Sequence, residues 1–434
     1  MPAQHPLREA APTGEPGQPP RPARMLSTRI ARLEWLPPAL ARRIFGAPLA
    51  PTAAEWRAIE AALWRGDPPM DELVAWMFED RPRERKAKFE RALTGGIESL
   101  HAAPEPLRAF FALVDRDPPW LDRERLPAGI RASRLAGDAG FYVLRDLALM
   151  GGYSYFNSMN HTLALAGALT KDTALRIGET GKWLTDVTED GGLERFGPGF
   201  VSTLRVRLIH ALIRRAVARR PEWDAERWGV PINQVDMLAT YLAFGPVSLL
   251  GVRLFGVPVG RADAGAAMHL WRYAGHLSGV DESFLARTEG DGLRKLYHTF
   301  LTHRWPDDTA RRLGTALRDE PLRRYVPGHE ERPRLAALRR RFAYHQDLSN
   351  TSLILGPLRR RQLGLPILTL PWYPMLSSPI RFATVSYHRL RGGAVLEGYL
   401  ARSRTRQRAL LDSYFANREH DLLRPGADHP AHVG

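Results

Sequence analysis

The sequence predicts an all-α protein. Apolar residues recur at helical spacing along most of the 434 residues, and period-2 alternation is scarce. No Asn-Gly hairpin signal occurs. Glycines and prolines fall where helices stop, as at Gly66 and Pro221.

The elements follow in chain order. The opening "MPAQHPLREAAPTGEPGQPPRPARM" is rich in Pro and Ala, and disorder is expected through about Ala23. It has no apolar h-region and no twin-arginine pattern, so no signal peptide is expected and a cytoplasmic location follows as the expectation. "TAAEWRAIEAALWRG" places Trp56, Ile59, Leu63 and Trp64 at helical spacing. "DELVAWMF" and "PEPLRAFFALVDR" are further helices. "GDAGFYVLRDLALMGGYSYFNSMNHTLALAGALT" reads as two apolar helices meeting at Gly151-Gly152. "TKDTALRIGETGKWLTDVTEDGG" opens on Thr170 as N-cap. "STLRVRLIHALIRRAVARR" (Ser202–Arg220), "PINQVDMLATYLAF", "DAGAAMHLWRYAGHLSG", "DGLRKLYHTFLTHRW" and "RPRLAALRRRFAYHQ" complete the helical set. No internal repeat is evident. The expected organisation is a tail over 1–24, a helical extension over 25–105, a catalytic-size unit over 106–310, and a C-terminal extension over 311–434 packed on it.

Composition removes several classes. There is no cysteine, which excludes disulfides, thiolate metal sites, Cys nucleophiles and covalent c-type haem. The net charge is +15, but only five of the 62 basic residues are Lys and no nucleic-acid-binding motif accompanies them. No nucleic-acid partner is expected. There is no G-x-G-x-x-G opening a βαβ unit, no P-loop, no G-x-S-x-G and no H-E-x-x-H. His298 and His303, five apart, fall on different helix faces. No run of 18 uninterrupted apolar residues occurs. Ala239–Gly260 and Leu363–Phe382 come closest. Buried core plus a long apolar loop is the expected arrangement, and a greasy surface touching membrane is the sharper one.

One helix joins an imidazole to both an apolar and a cationic stripe. At about 100° per residue, Val206, Ile213 and Val217 flank His210 on one side, and Arg207 and Arg214 on the other. A haem needs an imidazole for iron, apolar side chains against the porphyrin and cations for its propionates. The ordinary alternative is a core histidine on a basic helix. In "RIGET", Arg176 and Thr180 share a helix face and offer donors without an easily lost proton, which suits a polarised O₂. The ordinary alternative there is a surface Arg and a Thr bonded to its own helix.

With "PPW", Gly151–Tyr153, "RIGET", "LRVRLIHALIRR", "INQVDMLATYLAFG" and "WRYAGHLSGVDE" in this order, the chain resembles the MpaB / rubber-oxygenase catalytic domain family, which includes latex-clearing proteins, from about Pro106 to about Asp281. The resemblance implies a globin-like helical core holding haem b, with His210 as the iron ligand and Arg176 and Thr180 on the oxygen side. It implies O₂-dependent cleavage of a C=C bond in an apolar, isoprenoid-like substrate. Two departures stand out. The latex-clearing branch has a glutamate as base on the preceding helix, but no Asp or Glu occurs between Asp146 and Asp172, where Asn160 and His161 stand instead. Its lysine before the threonine is Glu179 here. Glu179 or His161 takes the base role on this reading, or none is needed. Two other functions remain open: a catalytically silent haem-binding protein, and a membrane-peripheral helical protein.

Overall fold

The computed structural model describes residues 38–167, 173–302, 306–329 and 331–416. Every regular element among them is helical. The expected N-terminal disorder and the Thr170 cap lie outside the described residues, as does His303.

The chain begins with α1 (Pro38–Phe45), α2 (Ala53–Ala62), α3 (Pro68–Glu79), α4 (Pro82–Gly95) and α5 (Glu105–Val114). Thr52 caps α2 in a reciprocal box with Glu55. Proline at the first turn starts α3 and α4, where a missing N–H costs nothing. Next come α6 (Leu126–Arg134), α7 (Asp138–Tyr142), a π-helical stretch at Val143–Leu149, α8 (Met150–Tyr155) and α9 (Asn157–Leu165). The expected break at Gly151-Gly152 is corrected here: the helix runs through both glycines and ends at Phe156. Asn160 Nδ2 donates to Tyr153 O at 2.8 Å, so a side chain one turn into α9 satisfies a carbonyl that α8 leaves open. Glycine lowers helix propensity without forcing an end.

The centre is an antiparallel hairpin, α10 (Thr173–Val187) and α11 (Pro198–Val217). α12 (Ala225–Trp228) leads to α13 (Gln234–Leu242), a second π-helical stretch at Ala243–Val247 and α14 (Ser248–Leu254). The run Gln234–Leu254 is long and apolar enough to cross a membrane, but most of it is buried inside the fold, as the core reading expected. α15 (Arg261–Leu277), α16 (Glu289–Phe300), α17 (Asp308–Asp319) and α18 (Pro333–Ile354) follow, then α19 (Pro357–Gln362), α20 (Trp372–Arg391) and α21 (Gly393–Phe415). The apolar loop expected over Leu363–Phe382 is half loop. From Trp372 it is helix, and Pro379 is accommodated inside it.

The main core runs from Ile59 to Ala286 and joins α2–α6 to the central hairpin and α15. A second core gathers α17, α18 and α21 against α10, with Phe415 and Tyr414 seated on Ile177 and Gly178. α10 is therefore clamped between two apolar layers.

Candidate functional site

The α10–α11 hairpin sets the register of the site. Trp183 Nε1 donates to Thr203 Oγ1 at 2.9 Å. Nearer the turn, a methyl group on Gly199 would lie 2.7 Å from both Asp186 O and Val187 Cα. Only glycine admits that approach. Seven residues from the Trp183–Thr203 bond lie Arg176 on one helix and His210 on the other; three residues away lie Thr180 and Val206. At 1.5 Å per residue the two pairs stand level across the hairpin, roughly 10 and roughly 5 Å along it. By this spacing Arg176 and Thr180 stand at the level of His210 and Val206 along the hairpin, and the Arg176 side chain reaches Tyr153 on α8.

His210 keeps accessible surface, yet burial dominates its titration and pushes the imidazole down to about 4. Arg214 lowers it further and Asp67 offsets part of this. Around His210, Val206, Ile209, Ile213 and Ala216 are half-buried, whereas Val217 is buried. The imidazole is neutral near pH 7, the form that binds a metal.

The cationic stripe departs from expectation. Arg207 and Arg214 are not an open edge for propionates: both are buried and turned toward the start of α3. Arg207 grips Asp67 with two bonds of 2.6 and 2.7 Å and also reaches Leu277 O. That guanidinium is fully engaged. Arg214 differs. Its Nε lies 3.4 Å from Asp71 Oδ1, but Nε, Nη1 and Nη2 are all buried without a hydrogen-bond acceptor among the described residues. A methyl group on Gly66 would collide with its Nε and with Asp71 Oδ2. A buried cation short of hydrogen-bond acceptors costs several kcal/mol in the order of magnitude, and Asp71 offsets part of this by its charge. Haem fits this donor set in two respects: a neutral imidazole and, one turn on, an unsatisfied guanidinium. Arg207 does not fit, because Asp67 holds it.

On α10, Arg176 Nη2 donates to Tyr153 Oη at 2.5 Å, and Thr180 Oγ1 donates to Arg176 O at 3.1 Å. The Thr bond is the ordinary local one. Glu179 is half-buried one residue before Thr180. His161 is held in another contact set: Nε2 lies 2.8 Å from Asp307 Oδ2, and the ring stacks on Trp228 at 4.1 Å. Asp307 also caps α17.

Sequence reading missed Asp67, Asp71, Tyr153 as a partner, and Asp236. Asp67 and Asp71 sit four apart at the start of a helix, matching Arg207 and Arg214 seven apart on another. That complementarity was legible only once the two helices were known to touch. Asp236 is buried on α13 and accepts from Ser158 Oγ at 2.7 Å, while its Oδ2 has no partner among the described residues. Burial pushes its carboxyl up to about 7, against the pull of Ser158, the Asn233 cap and Arg214. Among the described residues no cluster of three His, Asp or Glu side chains could hold a metal ion. A haem held by one imidazole would not require one.

An apolar cavity lies beyond α10, lined by Leu144, Leu184, Phe244, Leu249 and Trp271 among others. It borders both π-helical stretches and starts one turn along α10 from Thr180; His210 does not line it. π-helical turns recur at functional sites because the extra residue re-aims side chains.

Comparison with known proteins agrees with this architecture. A solved structure of latex clearing protein LCP in the closed state superimposes with a TM-score of 0.52 over 81% of this chain and 91% of that one, at 18% identity, which is a likeness of fold. A rubber oxygenase from Streptomyces sp. (strain K30) is 27% identical over 205 residues, 46% of this chain and 47% of the relative. The chain thus spans about half the length of that curated relative. The family model described as "ER-bound oxygenase mpaB/B'/Rubber oxygenase, catalytic domain" matches residues 141–384, more than half of the chain and the whole of the α10–α11 hairpin. The chain belongs to that oxygenase family.

Proposed function

We propose that the protein is an oxygenase that takes O₂ and an apolar, polyisoprene-like alkene, with haem b held on His210. The observation that carries this reading is His210 itself: an imidazole that burial keeps neutral, one turn from the buried Arg214 on α11, inside the stretch that the oxygenase family model matches. Bound haem would supply the activation of O₂ for oxidative cleavage or oxidation of a C=C bond.

This chain's own residues do the rest. His210 donates its ring nitrogen as a neutral ligand, because burial and Arg214 keep it unprotonated. Arg214 supplies the buried positive charge for a carboxylate of the cofactor. Val206, Ile209 and Ile213 provide apolar contact around the imidazole. Arg176, steadied by Tyr153, presents donors from α10, and Thr180 shares its face. The cavity lined by Leu184, Phe244 and Trp271 offers an apolar wall beyond Thr180. Glu179 and His161 are the candidates for any base role, and Asp307 engages His161.

Haem-loaded protein should consume O₂ with an oligomeric isoprenoid alkene and release carbonyl products, and His210→Ala should not. Retained haem without alkene-dependent O₂ uptake would support a second reading, a catalytically silent haem binder. One observation favours that reading: the Thr180 hydroxyl is bonded within its own helix, its ordinary structural use.

A further inference from the structure

The outer face of α20 is apolar where a surface helix should be polar. Leu368 is 98% exposed and Leu370 76% in the loop leading into it. Met375, Leu376, Ile380 and Leu390 are 66–88% exposed along the helix. Its inward positions are Pro374 and Val385, so the helix is seated, and what faces solvent is its second apolar side. The patch extends beyond one element. Ser378 Oγ reaches Leu254 O at 3.3 Å, which brings exposed Leu254 and the end of α14 alongside. Phe342 of α18 touches Trp372 with ring centroids 6.0 Å apart. Scattered exposed leucines are normal, but a continuous patch on several elements marks a contact surface.

Charge identifies the occupant. Residues 332–416 hold fifteen arginines against Asp347, Glu397 and Asp412, so this stretch carries most of the net charge of +15. Arginines interleave with the apolar residues: Leu338 with Arg339, Arg341 with Phe342, Leu390 with Arg391. Arg339, Arg341, Arg361 and Arg391 make no ion pair among the described residues; Arg391 lies over the Tyr387 ring. An apolar face bordered by unpaired, long cationic side chains is the pattern that lies in a lipid interface, with hydrocarbon below and phosphate at its own level. A second copy of this chain would bring the same positive charge to the contact and repel it.

We propose that α20, the loop before it and the adjoining ends of α14 and α18 dock on an anionic phospholipid bilayer, lying in its interface without spanning it. The surface lies on other elements than the His210 stripe, so the inference does not depend on the proposed activity.

Vesicle sedimentation of the full chain tests it. The protein should pellet with phosphatidylglycerol-containing vesicles at low salt, roughly tenfold less at high salt, and weakly with phosphatidylcholine alone. Leu368→Asp/Ile380→Asp and Arg341→Glu/Arg361→Glu should each cut binding by about tenfold with unchanged circular-dichroism melting, since all four side chains leave the core intact. No pelleting with anionic vesicles would overturn the proposal, as would equal binding to neutral vesicles at every salt. So would a concentration-dependent dimer that Leu368→Asp/Ile380→Asp dissolves while vesicle binding stays absent.

Discussion

At the scale of single residues, Arg207 and Arg214 look equivalent in sequence and are not. Arg207 closes a two-bond pair with Asp67 in a site almost free of solvent. Removing one partner of such a pair strands the other. Asp67→Ala is therefore expected to cost about 3–5 kcal/mol in urea denaturation, and Asp67→Leu/Arg207→Met to recover most of it. Arg214 lacks acceptors, so its worth should appear as cofactor affinity: Arg214→Met should keep the apo fold and weaken haem retention. Asp236 gives a pH prediction. Its folded carboxyl is raised to about 7 from 3.8, so the native state holds a proton that the unfolded chain has released. The stability this contributes is complete below about pH 4 and lost as pH rises through about 7. Asp236→Asn should flatten the decline in melting temperature between those limits. Arg176→Leu should lower turnover by about 100-fold while leaving haem binding near normal. At this scale type and spacing left His210, Arg176 and Thr180 open to ordinary structural readings, and the family resemblance singled them out. Asp67, Asp71 and Asp236 were not singled out, because their meaning depends on which helices meet.

At the scale of elements, the hairpin register carries the site. Gly199 admits the start of α11 against the end of α10, and the Trp183–Thr203 bond fixes the slide. Gly199→Ala forces a methyl group onto backbone atoms that cannot move aside. It should cost about 1–3 kcal/mol and also reduce turnover in the fraction that folds, because Arg176 and His210 would no longer stand level. Equal turnover per folded molecule would separate hairpin register from function. Helix identity and most stops could be read from apolar spacing, capping residues and Pro at first turns. The break after Tyr155 could not: it depends on Asn160 reaching back to Tyr153 O, a tertiary detail invisible to local propensity. The π-helical stretches were equally hidden, since one inserted residue barely alters the apolar pattern.

At the scale of the whole molecule, function is distributed between a buried half and an exposed one. The main core, Ile59 to Ala286, takes Leu204, Leu208, Ala211 and Leu212 of the helix that carries His210, and borders the apolar cavity. Residues 332–416 carry most of the net positive charge and the apolar outer face of α20. The charge was plain in composition, but its concentration beside exposed leucines required the fold. An oxygenase for a hydrocarbon gains from this division, because its substrate partitions into lipid and its chemistry must exclude water. The whole account turns on one cofactor at one residue. The most direct measurement is the absorption spectrum of the full chain expressed with haem precursor, beside His210→Ala at equal folded concentration. The account predicts a Soret band in the wild type that weakens or shifts in the variant. A colourless wild type that also fails to take up haemin would contradict it and leave His210 as a buried core histidine.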